Sequence, residues 1–237
     1  MTLTDSTRGL TRPAARPSPS TFGAGGAEPY AAALQSEANV LYLHSVHSEK
    51  SAGMAPMDAG RWSADADATD HSLLDGAVGP VLDIGCGPGR MVRAAMDRGL
   101  SAIGVDVSPT AVGIALAAGL TVLNRSVFDQ IPLEGSWGTL LLVDGNIGSG
   151  GDPEALLRRC ATLLGPGGEV IVEVSGDPAH DASYEGTIED SLGRRSSSFP
   201  WAEIGVDALR VRGAAVGLLV TQSWLLDGRS FARLARR

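Results

Sequence analysis

The sequence predicts an α/β fold, an open and mostly parallel sheet with helices on both faces. Three observations carry that expectation. Short apolar runs alternate with helical patterns from Pro80 to Val174, which is how βα units read in sequence. The first run, Val81-Leu82-Asp83-Ile84, breaks at once into Gly85-Cys86-Gly87-Pro88-Gly89-Arg90 and then into Met91, Val92, Ala94, Ala95 and Met96. A buried strand, a glycine turn and a helix start make the front half of a nucleotide-binding βαβ unit. The chain then closes on two extended runs, Val216 to Leu226 and Ser230 to Leu234, joined by Asp227-Gly228, a hairpin signature.

Composition bounds what such a fold can do here. The chain has 237 residues, enough for one α/β domain with its own core. Hydrophobic residues make up 43% and charged residues 19%, and the net charge is −8. That charge argues against a non-specific grip on nucleic acid phosphates. Cys86 and Cys160 form neither a metal-ligand spacing nor a disulfide framework, which fits a reduced, cytoplasmic compartment. No apolar run approaches the roughly 18 residues that span a membrane, so no membrane partner is expected. A monomer or homodimer acting on a small molecule fits this balance.

Along the chain, residues 1–28 are rich in Ser, Thr, Pro, Gly and Arg and read as a disordered tail. Residues 29–79 read as a helical or lid segment: a short helix after Pro29, an extended piece at Val40 to Leu43, then a helix from Asp65 to Leu74. His44 and His47 have no third ligand in reach, so no metal is expected. Trp62 is a candidate lid or acceptor contact. In the βα units, Gly99 stops the first helix and Ser101 to Val105 forms the second strand. Asp106 ends it, 21 residues past Gly85. A carboxylate at that place, beside the glycine turn, can accept both ribose hydroxyls of a nucleoside. Ser108 caps the next helix. Leu120 to Leu123 is the third strand, and Thr139 to Val143 the fourth. Asp144, Gly145 and Asn146 follow it at the edge where ligands of such sheets bind. Asp152 and Pro153 open a helix that ends at Leu164.

The glycines read Gly-x-Gly-x-Gly, not the dinucleotide Gly-x-Gly-x-x-Gly, and Asp83 lies two residues before the first. An acid so near the turn suits an ammonium group better than a pyrophosphate. This stretch resembles motif I of the class I methyltransferases that use S-adenosylmethionine (SAM). Leu164-Gly165-Pro166-Gly167-Gly168, between a helix and the strand ending at Val174, resembles the turn before that family's fifth strand. The resemblance implies a Rossmann-like, seven-stranded, mostly parallel sheet whose last strand is antiparallel. It also implies SAM as cofactor. Asp83, Gly85, Cys86, Gly87 and Gly89 would lie along its amino-acid half, Asp106 and Val107 at its ribose, and Val127, Phe128 and Asp129 at its adenine. Asp144 and Gly145 would approach its sulfonium.

Residues 80–237 are thus expected to form the SAM-binding domain, with a polar substrate-loop insertion at 175–200 and an amphipathic helix from Trp201 to Arg212. Candidate acceptor contacts are Trp62, Asn146, Arg194, Arg195 and Trp201. Asn146 and His180 are the candidate catalytic groups, His180 as a general base. The expected activity is methyl transfer to an O, N or carboxylate of a small acceptor. Other uses of SAM, non-catalytic SAM binding and a nicotinamide-dependent reductase stay open at this point.

Overall fold

A computed structural model describes residues 21–23, 28–35, 40–45 and 54–237. Its centre is a seven-stranded sheet of β3 (Val81–Ile84), β4 (Ala102–Asp106), β5 (Val122–Asn124), β6 (Trp137–Leu142), β7 (Leu164–Val174), β10 (Leu218–Leu226) and β11 (Arg229–Arg236). The spatial order is β10-β11-β7-β6-β3-β4-β5. Pairs within β5-β4-β3-β6-β7 are parallel, and β11 runs antiparallel to both β7 and β10. Only the last strand is reversed, as expected. The order switches direction at β3, flanked by β4 on one side and β6 on the other, so a crevice opens at their carboxyl ends.

The sequence dictates this layer plainly. A parallel strand covered by helices on both faces must be apolar throughout, and β3 is buried along its whole length. Helix α4 (Arg90–Asp97) buries Met91, Val92, Ala94 and Ala95, and α5 (Pro109–Ala117) is capped by Ser108, which accepts a bond from the Ala111 N–H. Helix α6 (Pro153–Leu163) is capped in the same way by Asp152. Trp137, Leu140, Leu142, Leu156 and Leu163 are fully buried in the largest core cluster. Each such aliphatic side chain contributes about 1.5–3 kcal/mol by leaving water.

The rest of the chain makes a second sheet. β1 (Val40–Ser45), β2 (Met54–Asp58), β8 (Asp181–Asp190) and β9 (Phe199–Ile204) form an antiparallel sheet in the order β2-β1-β8-β9. This corrects two expectations. The stretch 175–200 is not a loop insertion but mostly β-hairpin. The helix expected from Trp201 to Arg212 is strand to Ile204, a break at Gly205, then α7 (Val206–Ala215). At Gly205 any side chain would run into the Asp177 carbonyl oxygen, 2.1 Å from where a Cβ would stand. Val211, expected on the apolar side of that helix, is exposed, and Leu209 and Gly213 are buried instead.

One face of the second sheet carries Leu41, Leu43, Ile188, Phe199 and Trp201. It packs with Tyr30, Ala33 and Leu34 of α1 (Glu28–Leu34), and with Ala111 of α5. The opposite face bears Tyr42, Glu185 and Glu189. Phe22 packs edge-on against Tyr30 and Phe199, with ring centres 5.1 Å and 5.4 Å away. Residues 21–23 therefore belong to this packed layer and not to a disordered tail. In chain order α2 (Ala59–Ser63) follows, packed on α1 and β1, then α3 (Ala68–Leu73), packed on α4 and started by a capping box between Asp67 and Asp70. His47 lies outside the described residues, and among those described no group of His, Cys, Asp and Glu could hold a metal.

Candidate functional site

The main cavity lies where the switch point predicts it, between the carboxyl ends of β3, β4 and β6 below and the second sheet above. It encloses about 1000 Å³, its open mouth included.

The floor is the glycine turn. Gly85, Gly87 and Gly89 all have positive φ, at 72°, 54° and 94°, which a side chain tolerates poorly. Gly89 serves packing: a Cβ there would stand 2.4 Å from Leu120, and the residue does not line the cavity. Gly87 serves the cavity: a Cβ would meet only the Tyr30 hydroxyl, at 3.5 Å, and would otherwise fill open space. The turn is closed on itself. The N–H groups of Gly85 and Cys86 both donate to Val105 O, and that of Gly89 donates to Cys86 O.

Asp106 ties this turn to β4. One of its carboxyl oxygens accepts from Gly87 N at 2.8 Å and the other from Ser108 N at 2.7 Å. Burial raises its pKa, and the N–H groups of Ser108, Gly87 and Val107 oppose that rise. A carboxylate offers about four acceptor positions, so these three N–H groups still leave capacity for a ligand. Asp83 is more exacting. It is 2% exposed, and its Oδ1 is buried with no hydrogen-bond partner among the described residues. Burial lifts its carboxyl to about 7, against the pull of Arg90, and Asp144 adds to the rise.

Behind the floor runs an ion-pair network. Arg90 bridges Asp70 and Asp144. Arg229 of β11 donates to Glu173 at 2.7 Å, to Asp70 at 2.9 Å and to Asp144 at 3.3 Å. Glu173 also accepts from the N–H of Asp144 at 2.7 Å, which helps hold that residue at its φ of 54°. Burial acts to raise the Asp70 carboxyl, but hydrogen bonds from Arg90 and Arg229 outweigh it and hold the group well below the usual carboxylate range. Arg61 of α2 lies 3.0 Å from Asp70 and so links the roof to the floor.

The roof is aromatic. Phe22, Tyr30, Met57, Trp62 and Trp201 line the cavity from above, and Val107, Val127 and Phe128 line its flank. Of the expected site residues, the structure gathers Asp83, Gly85, Cys86, Gly87, Asp106, Val107, Val127, Phe128, Asp144, Asn146, Trp62 and Trp201 around this one space. Asn146 donates its amide to Gly85 O at 2.9 Å and so braces the turn.

Six expected residues are not at the lining. Gly89 and Gly145 shape turns beside it. Asp129 is turned to its own loop, accepting from Ser126 N at 3.0 Å. His180 stands 3.3 Å from Glu203. Arg194 and Arg195 are spent on Asp190 and Glu189, at 2.6 Å and 2.5 Å. Both lie in the turn between β8 and β9, and neither lines the cavity. Sequence reasoning missed Phe22, Tyr30 and Met57, whose role depends on a sheet assembled from both ends of the chain.

These residues fit SAM. A buried acid with an unsatisfied oxygen suits its ammonium group, a glycine backbone leaves room for its amino-acid half, and the apolar side chains on the cavity's flank suit its base.

Comparison with known proteins agrees with this geometry. Residues 60–236 match the family described as "Methyltransferase domain". The chain is 31% identical over 111 residues to a ubiquinone biosynthesis O-methyltransferase from Stutzerimonas stutzeri, covering 43% of this chain and 46% of that relative. It thus spans less than half the length of that curated relative. A SAM-dependent methyltransferase from Bacteroides fragilis, solved with S-adenosyl-L-homocysteine, aligns with a TM-score of 0.72 at 19% identity, covering 91% of this chain and 98% of that one. The 1,6-didemethyltoxoflavin-N1-methyltransferase of Burkholderia thailandensis aligns with a TM-score of 0.54 at 18% identity, covering 75% and 82%. Both structural likenesses are likenesses of fold.

Proposed function

The chain belongs to the methyltransferase domain family, and from that premise we propose that it moves a methyl group from SAM to a small, largely apolar acceptor held beneath the four-stranded sheet. One observation carries this reading: carboxyl groups and glycine backbone form the floor of a cavity whose roof is aromatic and thioether. Bound SAM supplies a methyl group already activated by the positive charge on its sulfur.

The chain's own residues then have to bind, orient and exclude water. Asp83 takes the ammonium group through its unpartnered oxygen. Asp106 takes the ribose hydroxyls with the acceptor capacity its backbone N–H contacts leave. Val107, Val127 and Phe128 flank the base. Arg90 and Arg229 fix Asp144 at the end of β6, and Asn146 is a positioning residue for the glycine turn. Among the described residues that line the cavity there is no histidine or lysine. An acceptor that binds as a neutral amine or an ionised hydroxyl needs no base, and for one that must lose a proton the carboxyl group at the lining outside the assigned cofactor contacts is Asp144.

In this reading residues 80–237 carry the cofactor site, and 29–79 with the hairpin inside 175–200 cover it. We infer a cytoplasmic monomer or homodimer. Two buried free cysteines support the compartment, and among the described residues no helix is long and apolar enough to cross a membrane.

The test is product analysis. Protein, SAM and a panel of aromatic and aliphatic amines and phenols should yield S-adenosylhomocysteine and a singly methylated acceptor. Methylthioadenosine as the nucleoside product would replace methyl transfer by another use of SAM. Binding of a nicotinamide dinucleotide without SAM binding would overturn the reading.

A further inference from the structure

Of the five roof residues Phe22, Tyr30, Met57, Trp62 and Trp201, Tyr30 carries a hydroxyl that the mechanism above leaves unused. It sits on α1, outside the seven-stranded sheet, and is 4% exposed. Its ring is held by Phe22 at 5.1 Å and by Trp62 at 5.6 Å, so the hydroxyl has little freedom to wander. That hydroxyl lines the cavity and stands 3.5 Å from the place a Cβ would take on Gly87. Among the described residues it makes no hydrogen bond. The ionisable groups that face it are Asp106, Cys86 and Asp144; burial, and then these neighbours, raise its pKa well above the usual tyrosine value and keep the proton on.

The hydroxyl faces the cavity and not the packed core, so a ligand seated there can take the bond that no protein group takes. The floor explains which partner is missing. Every N–H of the glycine turn is already committed, to Val105 O, to Asp106 or to Cys86 O. Arg90 is committed to Asp70 and Asp144. The amino-acid end of the cofactor carries a carboxylate as well as an ammonium group, and the carboxylate needs donors. Among the donors near Gly87 are the first N–H groups of α4 and the hydroxyl of Tyr30, the group that stands closest to the space over Gly87.

Building on the functional reading above, we propose that the Tyr30 hydroxyl donates to the amino-acid end of the cofactor, so that the roof completes the cofactor site as well as covering the acceptor. The cofactor is then held from both layers, and Phe22 and α1, which position Tyr30, must be seated for full affinity.

The experiment is calorimetric titration of the full chain and of Tyr30→Phe with two ligands. S-adenosylhomocysteine carries the amino-acid end; methylthioadenosine keeps the nucleoside and the sulfur but lacks it. Tyr30→Phe should lose about tenfold in affinity for S-adenosylhomocysteine and less than about twofold for methylthioadenosine. Its ligand-free melting temperature should stay close to that of the wild type, because the hydroxyl faces the cavity and bonds no protein group. Equal loss for both ligands would mark a structural role and overturn the inference, as would no loss for either. Wild-type protein that binds neither ligand would overturn the cofactor reading itself, an outcome distinct from a wild type that binds both and a variant that matches it.

Discussion

The two sheets hold the two sides of one cavity by different means. The seven-stranded sheet is clamped by apolar layers on both faces, and it presents charge and bare backbone at its carboxyl edge: Asp83, Asp106, Asp144 and the glycine turn. The four-stranded sheet has one apolar face only, and it presents rings, Phe199 and Trp201 among them, packed with Phe22, Tyr30 and Trp62. It is joined to the floor through that ring cluster and through Arg61. A rigid floor suits a cofactor that is the same at every turnover. A roof that packs on one side suits a partner that must enter and leave. The division of labour we propose is cofactor selection below and acceptor selection above, with Tyr30 crossing the boundary.

The largest expected effect breaks the floor alone. Gly87→Val should abolish measurable S-adenosylhomocysteine binding, a loss of at least about a hundredfold, because the side chain enters open cavity beneath the Tyr30 hydroxyl. The fold should survive with a cost of roughly 1–2 kcal/mol for a side chain at φ of 54°. Calorimetry and a melting curve on the same sample separate the two.

Asp83→Asn comes next and sharpens the comparison, because it should separate function from stability. The carboxyl of Asp83 is raised to about 7 when folded, above the roughly 3.9 of an unfolded aspartate. The folded state therefore binds more protons, so stability is full below about pH 4 and is lost as pH rises through 7. Asn removes that loss. At pH 8 the variant should be the more stable protein, by on the order of 1–4 kcal/mol in urea, and the advantage should vanish near pH 4. Its affinity for S-adenosylhomocysteine should fall about tenfold. Equal stability at both pH values would mean that Asp83 is not strained by burial. Asp70 works in the opposite sense: its carboxyl is depressed, so its contribution is present at neutral pH and is lost in acid.

Trp201→Phe addresses the roof. It should raise the acceptor KM by several-fold and leave S-adenosylhomocysteine affinity within about twofold; the reverse pattern would move Trp201 to the cofactor side. The smallest expected effects are His180→Ala and Arg194→Ala. Both residues are paired away from the cavity, so each should leave activity unchanged and stability within about 0.5 kcal/mol.

The same contrast governs what could be read in advance. β3, β4, β6 and β7 are buried on both faces and carry near-continuous apolar runs, so their order, the switch point and the acids at their ends were legible. The second sheet is wetted on one face. Its β8 reads Ala182, Tyr184, Gly186 and Ile188 inward between Ser183, Glu185, Thr187 and Glu189, a period-two pattern diluted by Ala and Gly. β1 and β8 pair although well over a hundred residues separate them, and no local signal marks such a pairing. Trp201 was placed at the acceptor on a helix that turned out to be a strand, yet its side chain still lines the cavity. Arg90 was visible only as a departure from a glycine pattern, because its partners, Asp70 and Asp144, become neighbours only in the fold.

The most direct measurement is the structure of the chain with S-adenosylhomocysteine. The account predicts one molecule over the glycine turn, its ribose hydroxyls on Asp106, its ammonium group on Asp83 and its sulfur toward the roof. An empty crevice at the ends of β3 and β4 under saturating ligand, or the nucleoside bound elsewhere on the chain, would contradict it.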